Sequence, residues 1–169
     1  MEHYVETEGH RQVAGERVCP RCGWAGGLHR HGGYSRWVTS ATGAAVAIVV
    51  ARFLCRGCKR TVSYLPSFAL SYRLVRTATV EAFLDGRQDG RDVQAYEALL
   101  RAYRRQMHRF ARDLIRVVGF GLGLDPPPEA GLWRWLKEAC GGLAAATRQL
   151  VTHFRVTTLR RYQCHQPAV

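Results

Sequence analysis

Residues 19–22 read Cys-Pro-Arg-Cys and residues 55–58 read Cys-Arg-Gly-Cys, so the chain contains two Cys-x-x-Cys pairs. One tight turn can present the two thiolates of a pair, and four thiolates bind Zn²⁺ tetrahedrally. Residues 23–54 are enough for a β-hairpin that returns the second pair to the first. Four such ligands leave no coordination position for water, which predicts a structural metal ion rather than a catalytic one. We therefore predict one structural Zn²⁺ bound by Cys19, Cys22, Cys55 and Cys58.

Other roles for these and the remaining cysteines are less consistent with the pattern. A redox pair needs only one Cys-x-x-Cys in a thioredoxin-like α/β context, which the sequence lacks. His29 or His31 could replace one thiolate. Cys140 is expected to be a small buried apolar residue. The Cys164-His165 pair is compatible with a second metal site shared with an oligomer partner, or with an ordinary tail.

The chain carries no signal for export or for membrane insertion. Residues 1–18 are polar and lack the apolar segment of a secretory signal. The longest apolar run, residues 44–51, is far shorter than the ~20 residues that span a bilayer. We expect a cytoplasmic protein without a membrane partner, in which paired cysteines indicate metal before disulfide.

The charge of the chain is strongly positive and unevenly distributed. The 169 residues have a formal net charge of +12, with 23 Arg and 2 Lys. Residues 17–80 contain ten of these cations and no Asp or Glu. A stretch of this kind predicts one basic surface that binds polyanions, and the arginine fork suits phosphate and guanine. The nucleic-acid contacts that we predict here are Arg30, Arg36, Arg52, Arg56, Lys59 and Arg60.

The order of patterns predicts an α+β protein. A β-branched run, Val46–Leu54, follows a turn signal at Thr42-Gly43, as expected for the second strand of a hairpin. Helical patterns then dominate. We divide the chain into a polar lead-in (1–18), a cysteine-bearing β region (19–71), a helical region (72–118), a Gly/Pro linker (119–131) and a C-terminal helical segment (132–162).

The helical region is predicted to contain three helices. The first runs from Tyr72 to Leu84, the second opens at Gly90-Arg91-Asp92, and the third runs from about Leu99 to Val118. The third helix has one apolar stripe, at Leu99, Tyr103, Met107, Phe110, Leu114 and Val118. Its opposite side supplies the second group of predicted nucleic-acid contacts, Arg101, Arg104, Arg105, His108, Arg109 and Arg112.

The C-terminal segment has a seam of apolar or small residues with three- and four-residue spacing, from Trp133 to Phe154. Gly141-Gly142 interrupts the seam, so the segment either breaks into a helical hairpin or brings two helices close together at the glycines. The seam can pack onto its own chain, or it can form a homodimer through residues 132–162. The pattern leaves both outcomes open.

Three stretches together carry a family resemblance: CPRCG at 19–23, RHGGYSR at 30–36 and RFLCRGCKRTVS at 52–63. They resemble the N-terminal zinc ribbon of bacterial insertion-sequence transposases and of small transposase-like proteins built on the same ribbon. In that family the ribbon precedes a helix-turn-helix, and together they recognise the ends of the element. The resemblance covers roughly residues 19–112, with Val62 in place of the usual aromatic. It implies a DNA-binding protein, with double-stranded DNA as partner.

The resemblance does not extend to catalysis. The transposases carry three separated carboxylates in a domain that follows the DNA-binding region. Beyond Val118 the acids here are Asp125, Glu129 and Glu138, in a pattern of linker and helix without strands for a two-metal site. We predict that the chain is not an enzyme, and that it is a DNA-binding relative of these proteins or a regulator derived from one.

Two other functions fit the same residues. The ribbon could dock a protein partner, with the basic surface against acidic protein. The aromatics Trp24, Tyr34, Trp37 and Phe53, interleaved with basic residues, would also suit RNA or other single strands. Salt-sensitive binding to duplex DNA, salt-tolerant binding to protein, and a preference for single strands distinguish the three.

Overall fold

Three antiparallel strands in the order β1-β2-β3 form the sheet of the computed structural model, which describes residues 1–70, 74–127, 131–154 and 158. The strands are β1 (Leu28–Thr39), β2 (Ala45–Cys55) and β3 (Thr61–Tyr64). Helices follow the sheet in the chain, so the predicted α+β class is confirmed. The β-branched run predicted as a strand is β2, and it lies in the centre of the sheet.

A bulge in β1 decides which side chains share a face of the sheet. Arg30 pairs with Phe53 and Gly33 with Ala51, so β1 has two residues where β2 has only Arg52. Because side chains alternate along a strand, the extra residue moves the even-numbered side chains of β1 to the other face. Arg30 therefore lies on the face of Phe53, whereas Tyr34, opposite Val50, lies on the face of Arg52.

Two small cores result, one on each face of the sheet. The first face buries Val13, Ala51, Phe53, Val62 and Tyr64. The second buries Val38, Ile48, Val50, Leu65 and Ala69. The polar lead-in contributes a short helix, α1 (Glu2–Glu6), and a 3₁₀ turn (Gly9–Arg11) that pack against the strands. Each core is small, so neither supplies much folding free energy alone.

The helices have their own core. Their bounds are α2 (Thr77–Leu84), α3 (Arg91–Ala95), α4 (Glu97–Arg109), α5 (Ala111–Leu122), α6 (Leu132–Cys140) and α7 (Leu143–Phe154). In the described ranges, no helix is both long enough and apolar enough to cross a membrane. The predicted first helix begins at Thr77, since Arg76 is extended; its predicted start at Tyr72 lies outside the described residues.

The single long helix predicted from Leu99 to Val118 is wrong, because the chain breaks at Phe110. The N–H of Phe110 is shared between the carbonyls of Gln106 and Met107, which tightens the last turn of α4, and α5 starts at Ala111. The buried stripe is also displaced at its start. Leu99 is 49% exposed, and Leu100 takes its place in the core.

The C-terminal segment breaks at the predicted glycines and packs onto its own chain. Gly141 (φ 84°) and Gly142 (φ 117°) separate α6 from α7, so the hairpin alternative is confirmed. Leu136 and Leu143, both on the predicted seam, are fully buried in the helical core. The homodimer predicted through residues 132–162 stays a prediction, although Leu136 and Leu143 of its seam are buried within the chain.

A polar junction joins the sheet to the helices. The N–H of Arg76 donates to Thr39 Oγ1 at 3.0 Å, and its guanidinium lies 3.3 Å from the carboxylate of Asp92. Thr79 Oγ1 donates to the same carboxylate. Tyr96 Oη donates to the carbonyl of Gly43, in the turn between β1 and β2, at 2.9 Å. The hairpin turn is thus fixed against the start of the helical region.

This junction predicts a pH-dependent stability. Burial opposes ionisation of Asp92, but the hydrogen bonds from Thr79 and Arg76 outweigh it and lower the pKa of the carboxyl. A lowered pKa contributes stability above the unfolded value of 3.8, and the contribution is lost as pH falls through the folded pKa. Asp92→Asn should reduce the free energy of unfolding by about 2 kcal/mol at pH 6. Denaturant titrations between pH 3 and pH 6 should show the difference from wild type shrinking on acidification, and a constant difference would contradict this role.

Candidate metal centre and basic surface

The four predicted cysteines come together beside the sheet. Cys19 and Cys22 lie in a turn before β1, Cys55 ends β2, and Cys58 lies in the turn that follows. The Sγ atoms of Cys19 and Cys58 are 4.0 Å apart, and those of Cys22 and Cys55 are 3.7 Å apart. All four Sγ atoms lie within 4.8 Å of one another. A tetrahedral ion with sulfurs at about 2.3 Å requires sulfur–sulfur separations of about 3.8 Å, so the cluster can hold one metal ion.

Backbone hydrogen bonds close each turn around its cysteines. The N–H of Cys19 donates to the carbonyl of Trp24 at 2.8 Å, and the N–H of Cys55 donates to the carbonyl of Arg60 at 2.9 Å. Gly23 (φ 75°) and Lys59 (φ 55°) take left-handed conformations just after the two pairs. The two turns therefore share the same backbone hydrogen bond and a left-handed residue after the second cysteine, and each directs its two thiols toward the other pair.

Trp24 connects the two turns. A Cβ added to Gly57 would lie 2.8 Å from the Trp24 ring, and one added to Gly26 would lie 2.0 Å from it. The indole thus lies directly against the backbone of the second turn while its own carbonyl closes the first. No pattern in the sequence predicts this role of Trp24, because it depends on the return of the second cysteine pair to the first.

Among the thiols of the cluster, Cys55 has an environment that favours the thiolate, which is the form that binds a metal. Burial raises the pKa of the Cys19 thiol. At Cys55 burial acts in the same direction, but hydrogen bonds from the N–H of Cys58 and from the neighbouring thiols lower the pKa to about 7. Only the thiolate binds a metal. Because the pKa of Cys55 is about 7, its thiol releases the proton at little free-energy cost when a metal ion binds near neutral pH.

The histidine alternatives are not part of this cluster. Among the described residues, the group that could hold a metal consists of the four cysteines alone, and His29 and His31 are exposed on β1. Cys140 is buried in the helical core, as predicted. The Cys164-His165 pair lies outside the described residues.

Three of the arginines in the sheet that are predicted to contact nucleic acid interact with other groups of the same chain. Arg30 donates to the carbonyls of His10, Arg11 and Val13 at 2.8–3.1 Å and stacks on Phe53. Its guanidinium fixes the lead-in segment to the sheet. Arg36 donates to the carbonyl of Leu70 at 2.9 Å, and Arg52 stacks on Tyr34.

The cations of the second cysteine turn differ from these three arginines because they have no partner among the described residues. Arg56, Lys59 and Arg60 are exposed, and none has a side-chain hydrogen bond or ion pair within the described ranges. Arg21 is likewise exposed, inside the first turn between Cys19 and Cys22. Arg21 is not among the predicted nucleic-acid contacts, although its position between two predicted metal ligands, in a stretch without Asp or Glu, indicates a cation of the same surface.

The helical group divides in the same way. Arg101 is paired with Glu97 at 2.6 Å, and Arg104 lies over the ring of Phe83. The remaining members, three on α4 and one on α5, are exposed and have no side-chain partner in the part of the chain that the structure describes. These are Arg105, His108, Arg109 and Arg112.

The comparisons with known proteins give a family but no activity. Neither the curated proteins nor the solved structures yield a match. A family model described as "Domain of unknown function (DUF6431)" matches residues 19–110, which include the four cysteines, the whole sheet and the helices through α4. The match spans more than half of the chain, and the protein therefore belongs to the DUF6431 family.

Proposed function

We propose that this chain is a DNA-binding module whose sheet is held together by one structural Zn²⁺. Tetrahedral sites made of four sulfurs take zinc or iron in proteins, and zinc is the usual ion of paired Cys-x-x-Cys turns on a β-hairpin. The sulfur separations of 3.7 and 4.0 Å support such a site. With all four positions filled by protein, the ion has a structural role.

One observation carries the DNA-binding proposal: most of the predicted contact residues are exposed and have no intramolecular partner among the described residues. Seven of the twelve have no side-chain ion pair, hydrogen bond or cation–π contact within the described residues. A solvated surface usually mixes charges of both signs, so cations left uncompensated in two groups suit a polyanion. The seven are Arg56, Lys59, Arg60, Arg105, His108, Arg109 and Arg112.

The arrangement of helices supports duplex DNA as that polyanion. In the transposase-like proteins that the sequence resembles, a helix-turn-helix follows the ribbon, and here α2, α3 and α4 follow the sheet. In this proposal α4 enters the major groove, where Arg105 and Arg109 contact phosphate or guanine. The chain would recognise element ends or act as a derived regulator, without a nuclease of its own.

The aromatic residues favour duplex DNA over single strands. Phe53 is buried, Trp24 lies against Gly57, and Tyr34 stacks with Arg52. Trp37, which is 59% exposed, is left with a ring free for stacking on a base. A dedicated single-strand site usually presents several such rings.

The first prediction from this proposal concerns the metal. The purified protein should contain one zinc ion per chain, and Cys55→Ser should lose both the ion and the cooperative melting of the sheet, because metal binding supplies folding free energy that the two small cores lack. Elemental analysis and thermal melts measure both quantities. Cys140→Ser, which changes a cysteine outside the cluster, should keep the zinc. A folded wild-type protein with no metal, or with iron, would contradict the zinc assignment.

The second prediction concerns the helical cations. Combined substitution of Arg105, Arg109 and Arg112 by Ala should weaken binding to duplex DNA and reduce the slope of log affinity against log salt by roughly two to three, since each phosphate contact contributes about 0.9. Fluorescence anisotropy over a salt series measures the slope.

A matched control for this experiment is Arg101→Ala, because Arg101 lies on α4 together with Arg105 and Arg109 but is paired with Glu97. The control should change the slope by much less than one unit. All four substitutions are at exposed positions, so zinc content and melting temperature should stay close to wild type. An intact triple variant with unchanged affinity and slope would exclude α4 and α5 as the contact surface.

A further inference from the structure

Arg52 in the centre of β2 is a half-buried cation without an anionic partner. Its Nε has no exposed surface and no hydrogen-bond partner, and no ion pair to Arg52 exists among the described residues. No Asp or Glu occurs anywhere in residues 17–80. Removing a charge from water is costly unless it is paired, so this position carries a free-energy cost that an anionic ligand would relieve.

The guanidinium is held in place by an aromatic ring instead. Its central carbon lies 4.8 Å from the centroid of the Tyr34 ring, a cation–π contact that fixes the plane of the group. Tyr34 reaches this face only because the bulge in β1 shifts it there, opposite Val50. Stacking occupies a flat side of the guanidinium and Nε is buried, so the two terminal NH2 groups, which are not buried, are the donors left for a ligand.

Hydroxyl groups continue the same face of the sheet on β3. Ser63 pairs directly with Arg52, and Thr61 pairs with Leu54, two residues further along. Neither hydroxyl has a hydrogen-bond partner in the ranges that the structure describes. Directly paired residues of antiparallel strands have Cβ atoms about 5 Å apart, which places the Ser63 hydroxyl close to the guanidinium stem. Ser and Thr hydroxyls are common donors to phosphate oxygens.

The position also lies close to the cationic cysteine turn. Cys55 is three residues beyond Arg52 on the same strand, about 10 Å away, and the exposed Arg56, Lys59 and Arg60 follow it. The cations of this turn are exposed and have no partner in the described residues, whereas the guanidinium of Arg52 is held by Tyr34. A fixed donor loses less conformational entropy when it binds.

We infer that Arg52, stacked on Tyr34 and flanked by Ser63, is a preformed site for a backbone phosphate of duplex DNA. The inference rests on the proposed DNA binding and assigns the sheet a defined contact beside the helical one. Arg52 is therefore expected to contribute more to affinity than an ordinary exposed arginine.

The experiment uses the full chain and a fluorescein-labelled 20-base-pair duplex of random sequence, with anisotropy measured over a salt series. Arg52→Gln should weaken binding at least tenfold and lower the salt slope by about 0.9. Arg52→Lys keeps the charge but loses the planar fork, so it should keep the slope and still weaken binding several-fold. Tyr34→Leu, which removes the stack alone, should resemble Arg52→Lys.

Arg148→Gln is the matched control, since it removes the same charge from an exposed position on α7. It should weaken binding less than threefold. Zinc content and melting temperature are measured for every variant, and Arg52→Lys supplies the test if Arg52→Gln is unstable. A wild type that binds duplex while the Arg52 and Tyr34 variants match Arg148→Gln overturns the phosphate site alone. A wild type that does not bind duplex, or that binds only single strands or protein, overturns the proposed function and the site together.

Discussion

The convergence of four sulfur atoms is the constraint on which the sheet depends. The two cores of the sheet bury about five side chains each, on opposite faces of only three strands. With the proposed metal ion bound, the cysteine cluster would cross-link the segment before β1 to the turn after β2, and Trp24 packs between these two segments. With this end fixed, the pairing of β2 with both neighbours keeps a single register. The bulge opposite Arg52, which puts Tyr34 on the same face of the sheet as Arg52, depends on that register.

The cations of the chain fall into structural and unpaired groups. Arg30, Arg36 and Arg76 donate to carbonyls or a carboxylate that hold the lead-in, the segment after β3 and the helices in place. In the described part of the chain, no such task falls to the cations of the second cysteine turn or to three arginines of α4 and α5, which are Arg105, Arg109 and Arg112. The polar junction of Thr39, Arg76 and Asp92 joins the sheet to the helical region, and these two parts of the chain carry the two unpaired groups. The presence of cations without an intramolecular partner, beside arginines that have one, is the physical basis for proposing a polyanion as the partner.

The sequence predicts local features well and long-range ones poorly. Cysteine spacing is sufficient to predict that the four cysteines cluster, and the strand β2 and the break at Gly141-Gly142 can also be predicted from the sequence. The break at Phe110 is not, because apolar spacing continues across it from Met107 to Leu114. The intramolecular role of Arg30 is equally hidden, since its partners are backbone carbonyls some twenty residues earlier. Charge counting alone cannot separate such an arginine from an exposed one. The nucleic-acid contacts stay predictions.

The four-sulfur metal centre is the central claim, and X-ray absorption at the zinc edge of the purified protein tests it most directly. The account predicts a single shell of four sulfur ligands at about 2.3 Å, with no nitrogen or oxygen ligand in the first shell. That shell would match the separations of 3.7 and 4.0 Å between the paired Sγ atoms. A shell with fewer sulfurs, an imidazole nitrogen at about 2.0 Å, or a protein that is folded without a bound metal would contradict it.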